Sequence, residues 1–300
     1  MSDMTEESGI TIEKTESAKV DANNVMESIK GLNSEEKEIA QEVLVSFFLK
    51  DGPESVKKEI KKQNAIRKRK RLVPLTENDK KARLRGSFFE QSAKYLLEKE
   101  DKIEDTEFSD FVLEITRNPK LLLDSTLKLI QDLPKAEQRK YRETLRELDK
   151  QYDELPRNPR NNDAISITLL DNPVDDRRQA VLTHAFEMKN FNLSKGDSSD
   201  QLRVQLGGSH EDMRKIVHAI FKIYPAYRQL KGLENYPDVI RIVSEKSFKQ
   251  VVVQPEGVIE DERKKDYESE IGDYGFIYTK LNSHTLHKIY TALTPIVLRR

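Results

Sequence analysis

Apolar residues recur at helical spacing through the first half of the chain. Ile39, Ala40, Val43, Leu44, Phe47 and Phe48 mark one face, and Asn33-Ser34-Glu35-Glu36 ahead of them reads as a capping box. Asp51-Gly52-Pro53 stops this helix. Residues 54–72 favour helix but are poorly amphipathic: Val56 and Ile60 share a face that then becomes Gln63 and Arg67, and Pro74 ends the segment. Thr76 caps a helix carrying Leu84, Phe88, Phe89, Tyr95, Leu96 and Leu97. Phe108, Phe111, Val112 and Ile115 form a further stripe, Asn118-Pro119 opens a helix with Leu123, Leu127 and Ile130. Tyr141, Leu145, Leu148 and Tyr152 make a narrow stripe with charged flanks, which fits a peripheral helix or one arm of a coiled pair.

The period changes after "LPRNPRNNDA", residues 155–164, whose prolines and asparagines read as a linker. Ile165, Ile167 and Leu169 alternate with polar residues as in a strand, and so do Leu202, Val204 and Leu206. Between them, Val181, Leu182, Ala185 and Met188 predict a helix, as do Met213, Ile216, Val217, Ile220, Phe221 and Tyr224 further on. "VVVQPEGVI", Val251 to Ile259, reads as a hairpin, and Leu286, Ile289, Tyr290 and Leu293 as a last helix before Pro295. Residues 1–32 have few large apolar side chains and no evident period, so a disordered acidic tail is expected. The expected fold is mainly α with a minor β component. A helical domain, 33–154, follows the tail, and an α+β C-terminal domain, 165–300, follows the linker.

Composition agrees with partial exposure: 36% of the 300 residues are hydrophobic and 35% are charged, so a core is expected for part of the chain only. The absence of cysteine excludes disulfides, thiolate metal sites and cysteine nucleophiles. No run approaches the length of a transmembrane helix, and the acidic, polar start is unlike a signal peptide. An intracellular protein is expected, cytoplasmic, or nuclear if its basic cluster is an import signal.

That cluster changes the picture most. The net charge is −1, yet residues 1–56 carry net −8 and residues 57–85 net +10. Lys57, Lys58, Lys61 and Lys62 precede Arg67, Lys68, Arg69, Lys70 and Arg71, and Lys80, Lys81, Arg83 and Arg85 follow. Such density predicts sequence-independent phosphate contacts, since each neutralised phosphate releases a condensed counterion. The other readings are an import signal, a partner for an acidic protein or membrane, intramolecular shielding by the acidic tail, and a solvated face.

The remaining motifs are weaker. Gly207-Gly208-Ser209 between a strand and a helix has phosphate-cradle order, with Ser209 as cap, but Glu211 and Asp212 would repel an anion. His284 and His287 lie one turn apart without a third ligand, and Ser283 as a cap explains them without metal. No cofactor is called for. The leading expectation is a non-enzymatic nucleic-acid-binding or packaging protein using the basic segment. The alternative is a helical scaffold docking protein partners or a second copy through Tyr141, Leu145, Leu148 and Tyr152. An enzyme of the second half would have Asp171, His184 and Ser209 as its nominees.

Overall fold

A computed structural model describes the chain apart from residues 1–2, 100–113, 116–117, 157–162, 172–177, 191–197, 234–235, 243–248, 257–274 and 299–300. Of residues 3–12 and 198–210, among others, it describes the backbone only. Helices dominate the N-terminal half, and a small mixed sheet lies in the C-terminal part.

The first four helices are α1 (Asp3–Glu27), α2 (Ser34–Leu49), α3 (Gly52–Arg69) and α4 (Glu77–Lys99). The expected disorder of residues 1–32 is corrected for the described residues. Ala18, Ala22, Val25, Ile29 and Leu32 recur every three or four positions, and all are buried. This stripe is made largely of small side chains, which is why it carries little signal. α1 packs on α2, and Asn23 accepts a hydrogen bond from Gln41 at 2.9 Å.

The expected capping box closes the start of α2: Glu36 N–H donates to Asn33 Oδ1, and Asn33 N–H to Glu36 Oε2, each at 2.9 Å. At the α2–α3 corner Asp51 has a φ of 52°, and a Cβ on Gly52 would come within 2.3 Å of the Phe47 ring, so only glycine fits. Thr76 caps α4 as expected, accepting from Asp79 N–H at 3.1 Å while Asp79 reaches back to Thr76 N–H at 2.8 Å.

Next come α5 (Pro119–Gln131), a short turn α6 (Lys135–Gln138), a 3₁₀ turn (Arg139–Tyr141) and α7 (Arg142–Glu154). Then follow β1 (Ala164–Asp171), β2 (Arg178–Met188), α8 (Ser198–Lys231), β3 (Val239–Ile242), β4 (Lys249–Pro255), β5 (Gly275–Thr279) and α9 (Ser283–Leu298). β1 runs antiparallel to β2, whose other edge takes β3 and then β4 in parallel, and β5 continues parallel to β4.

Four local expectations are corrected here. Residues 178–188 are a strand, not a helix: β2 is paired on both edges and buried on both faces, so its apolar residues run almost continuously, and period alone cannot separate such a run from a helix. A register shift opposite Ser166 and Ile167 further disturbs its alternation. Leu202, Val204 and Leu206 lie in α8, because the strong stripe from Met213 to Tyr224 nucleates a helix and extending it backward is cheap. β2 and β5 hold both edges of β4, so Val251–Val253 have no free edge for the expected hairpin; its second arm lies outside the described residues. α9 runs through Pro295, with Val297 buried.

The sheet separates two cores. Ala164, Phe186, Met188, Val251 and Val253 face α1–α4 and α9, where Phe47, Phe88 and Tyr290 stack edge to face. Ile165, Ile167, Leu182 and Ala185 face α5, α7 and α8. Each core therefore draws residues from both sides of the 155–164 segment.

Candidate functional site: a basic helical hairpin beside a strand-end cavity

α3 and α4 form an antiparallel hairpin that carries every cation of the 57–85 segment. The three acids of residues 57–85 are all engaged locally. Glu59 lies 3.7 Å from Arg83, Glu77 lies 2.6 Å from Lys80, and Asp79 is bound into the Thr76 cap. Lys57 pairs with Glu54 at 2.7 Å, and Arg67 donates from Nε to the Val73 carbonyl at 2.5 Å. Lys58, Lys61, Lys62, Lys68, Arg69, Lys70, Arg71, Lys81 and Arg85 are exposed, and no described carboxylate pairs with any of them. Hydrogen bonding to Lys80 and then that ammonium's charge hold the Glu77 carboxyl below the usual range, and the bonds from Thr76 do the same for Asp79. At pH 7 the hairpin therefore presents a dense, one-signed field.

α4 also walls a cavity of about 690 Å³ at the carboxyl ends of β2 and β4. In open α/β sheets this end is where ligands bind. Arg85 and Glu90 enter from α4, Asp163 from the start of β1, Lys189 and Asn190 from the end of β2, and the first turns of α9 close the space. Tyr290 braces the wall: its hydroxyl accepts from Asn190 at 3.0 Å and donates to the Arg85 carbonyl at 3.1 Å.

The residue ahead of β1 and the end of β2 bring the charges together. Asp163 lies just before the ladder that begins with Ala164 opposite Phe186, and its charge acts on Glu187. Asp163 N–H donates to the Phe186 carbonyl at 2.9 Å, and its carboxylate accepts from Met188 N–H at 2.7 Å. Glu187 and Lys189 are two residues apart on a strand course, hence on one face, and they form an ion pair. Glu187 is 2% exposed. Burial first, then the charge of Asp163, pushes its carboxyl up to about 7, against the pull of Lys189; Glu90 adds a smaller push.

The other nominated chemistry does not come together. His184 faces Ser166 on β1, five positions before Asp171, which is a separation of roughly 17 Å along the strand. Ser209 lies within α8, so no strand-to-helix turn exists at Gly207-Gly208 and no cap either. α9 is capped by Asn282 rather than Ser283: its Oδ1 accepts from Thr285 N–H at 2.8 Å. Among the described residues no three acidic or histidine side chains converge on a point that could hold a metal ion.

The stripe nominated as an interface is partly covered within the chain. Leu148 is buried, and Tyr141, Leu145 and Tyr152 pack on the core formed with α5 and α8. Tyr152 donates to Asp124 at 2.5 Å. The stripe is narrow because one pair of neighbouring helices covers it. Glu90, Asp163, Glu187 and Lys189 were not legible as a group, for β2 read as a helix and Asp163 as linker. The spacing of Glu187 and Lys189 is the signal that a strand reading would have exposed.

No described helix is long and apolar enough to cross a membrane. No family model, no curated protein and no solved structure matches the chain.

Proposed function

We propose that this chain binds nucleic acid through the α3–α4 hairpin and hydrolyses phosphodiester bonds at the adjoining cavity with a divalent cation. The observation that carries the reading is a cavity lined by Glu90, Asp163 and Lys189, with the buried Glu187 paired to Lys189 and an α4 wall that belongs to the basic hairpin. Asp163 and Glu90 are the carboxylates that line the cavity, and they would hold the cation there. Magnesium needs only one or two protein carboxylates when substrate phosphate and water complete its shell, so a preformed cage of three is not required.

The chemistry follows from charge. A divalent cation held by Asp163 and Glu90 would supply neutralisation of the phosphate charge, and a water oxygen would attack phosphorus. The bond from phosphorus to the bridging oxygen breaks, and that oxygen leaves with a proton. The Lys189 ammonium, which lines the cavity and pairs with Glu187, would stabilise charge building on the phosphate. Arg85 and the exposed cations of α3 and α4 would hold the flanking backbone, which supplies affinity without base readout.

Incubation of the full chain with labelled single- and double-stranded DNA and RNA, with magnesium or manganese and with EDTA, tests both parts. Cleavage that requires the cation and is lost in Lys189→Met supports the reading. Salt-dependent binding without cleavage would return the protein to a packaging or coating role, the second reading, which rests on the nine cations alone.

A further inference from the structure

The basic hairpin ends in an apolar tip that a phosphate grip does not need. Leu72 and Val73 are 52% and 74% exposed, directly after the five cations Arg67 to Arg71. The turn that presents them is held on both sides. α3 closes in a Schellman motif, in which Arg71 N–H donates to the Lys68 carbonyl at 3.1 Å and Leu72 N–H to the Arg67 carbonyl at 2.8 Å. Arg67 then holds the Val73 carbonyl, and Leu75 N–H donates to Asn64 Oδ1 at 2.8 Å, with Leu75 buried. The pair thus projects from a fixed turn.

The residue at the left-handed position of this motif is Arg71, with a φ of 55°. Glycine is the usual occupant because it has no Cβ to clash. A cation kept in a backbone conformation that strains it is a pointer to function. Beside the tip lies a hollow lined by Ala65, Leu72 and Pro74, with Lys68 and Arg71 at its rim. Cations next to projecting apolar side chains suit a ligand that alternates phosphate with an apolar stack. The cations also continue from Lys57 along α3 and back to Arg85 along α4; α3 alone is about 27 Å long at ~1.5 Å per residue. That line fits a rod-like anion better than a flat one touched only at the tip.

We infer that the α3–α4 tip is a wedge for duplex nucleic acid, with Arg67–Arg71 seated on phosphates and Leu72–Val73 entering between neighbouring base pairs. Such insertion unstacks a step and bends the duplex. This rests on the nucleic-acid reading above but not on hydrolysis.

The test uses the full chain in EDTA with a duplex carrying 2-aminopurine beside a flexible TA step. Binding of the wild type should raise the fluorescence severalfold, because unstacking relieves quenching. Leu72→Ser with Val73→Ser should remove most of that rise and leave the salt slope unchanged. Arg71→Gly should raise the melting temperature of the protein while weakening binding severalfold. Salt-dependent binding of the wild type with no fluorescence change overturns the wedge and leaves the phosphate grip standing. So does capture by phosphatidylserine vesicles that needs Leu72 and Val73 while duplex binding does not. Absence of any duplex binding overturns both.

Discussion

The α3–α4 hairpin and the strand-end cavity use the same side chains in opposite ways. On the hairpin the acids are tied up by caps and short-range pairs, and nine cations are left facing water. At the cavity, Asp163 and Lys189 line the wall, and Glu187, almost without solvent, pairs with Lys189. Water screens the first group, so its members act as a summed field of low specificity. Burial amplifies the second, so its members act on each other and shift a carboxyl to about 7. A field suits holding a polyanion anywhere along its length. A buried cluster suits acting on one bond of it.

The largest break between the two regions should come from the cavity. Asp163→Asn keeps an acceptor for Met188 N–H but removes a charge, and Lys189→Met removes the ammonium. Either should lower cleavage by about 10³-fold, within the range of a lost acid–base or charge-stabilising group. Binding in EDTA should stay within a few fold, measured by anisotropy on the same oligonucleotide. Equal loss of binding and cleavage would merge the two regions into one.

Replacement of Arg67–Arg71 by Gln should do the reverse. Affinity at low salt should fall on the order of 10²-fold, and the slope of log affinity against log salt should flatten by roughly 0.9 per lost contact. Thermal unfolding should barely move, since these side chains make few native contacts. An unchanged slope would remove the hairpin from the interface.

A smaller effect sharpens the contrast in burial. The Glu187 carboxyl is raised from an ordinary 4.5 to about 7, so the native state holds this proton more tightly than the unfolded chain does between those values. Its contribution to stability is therefore present below about pH 4.5 and lost as pH rises through 7. Melting temperature without divalent cation should fall across that window, and Glu187→Gln, neutral throughout, should remove this part of the slope. No comparable change should follow Glu77→Gln.

The smallest effect belongs to the hairpin acids. Glu59→Gln and Glu77→Gln free Arg83 and Lys80 from their pairs. Affinity should rise two- to fivefold, and the salt slope should steepen by less than about two units. A fall in affinity would mean that those pairs position cations rather than neutralise them.

Helix ends and the basic segment were legible because their causes are local. Asn33 with Glu36, Thr76 with Asp79 and Asp51-Gly52-Pro53 each act within four residues, and the structure shows caps and a corner at those places. The charge of residues 57–85 needed only counting. Reading failed where the partner is distant. α1 is ordered by contacts with α2 and α9, and its small apolar residues announce little of that. β2 could not be told from a helix until its neighbours on both edges were known. The Tyr141–Tyr152 stripe was correctly an apolar face, but only the packing of α5 and α8 decides that it is covered from within.

By itself, then, the sequence determined a mostly helical chain with a minor β component, its helix caps and its uneven charge, because these depend on neighbours along the backbone. Tertiary structure alone decided which charges meet. Glu90, Asp163, Glu187 and Lys189 are up to 99 positions apart in the chain, and what joins them is the pairing of β1 with β2 and the placement of α4 over the end of β2. Electrostatic interaction falls with distance in space and with the dielectric between charges, and neither quantity is written in sequence order.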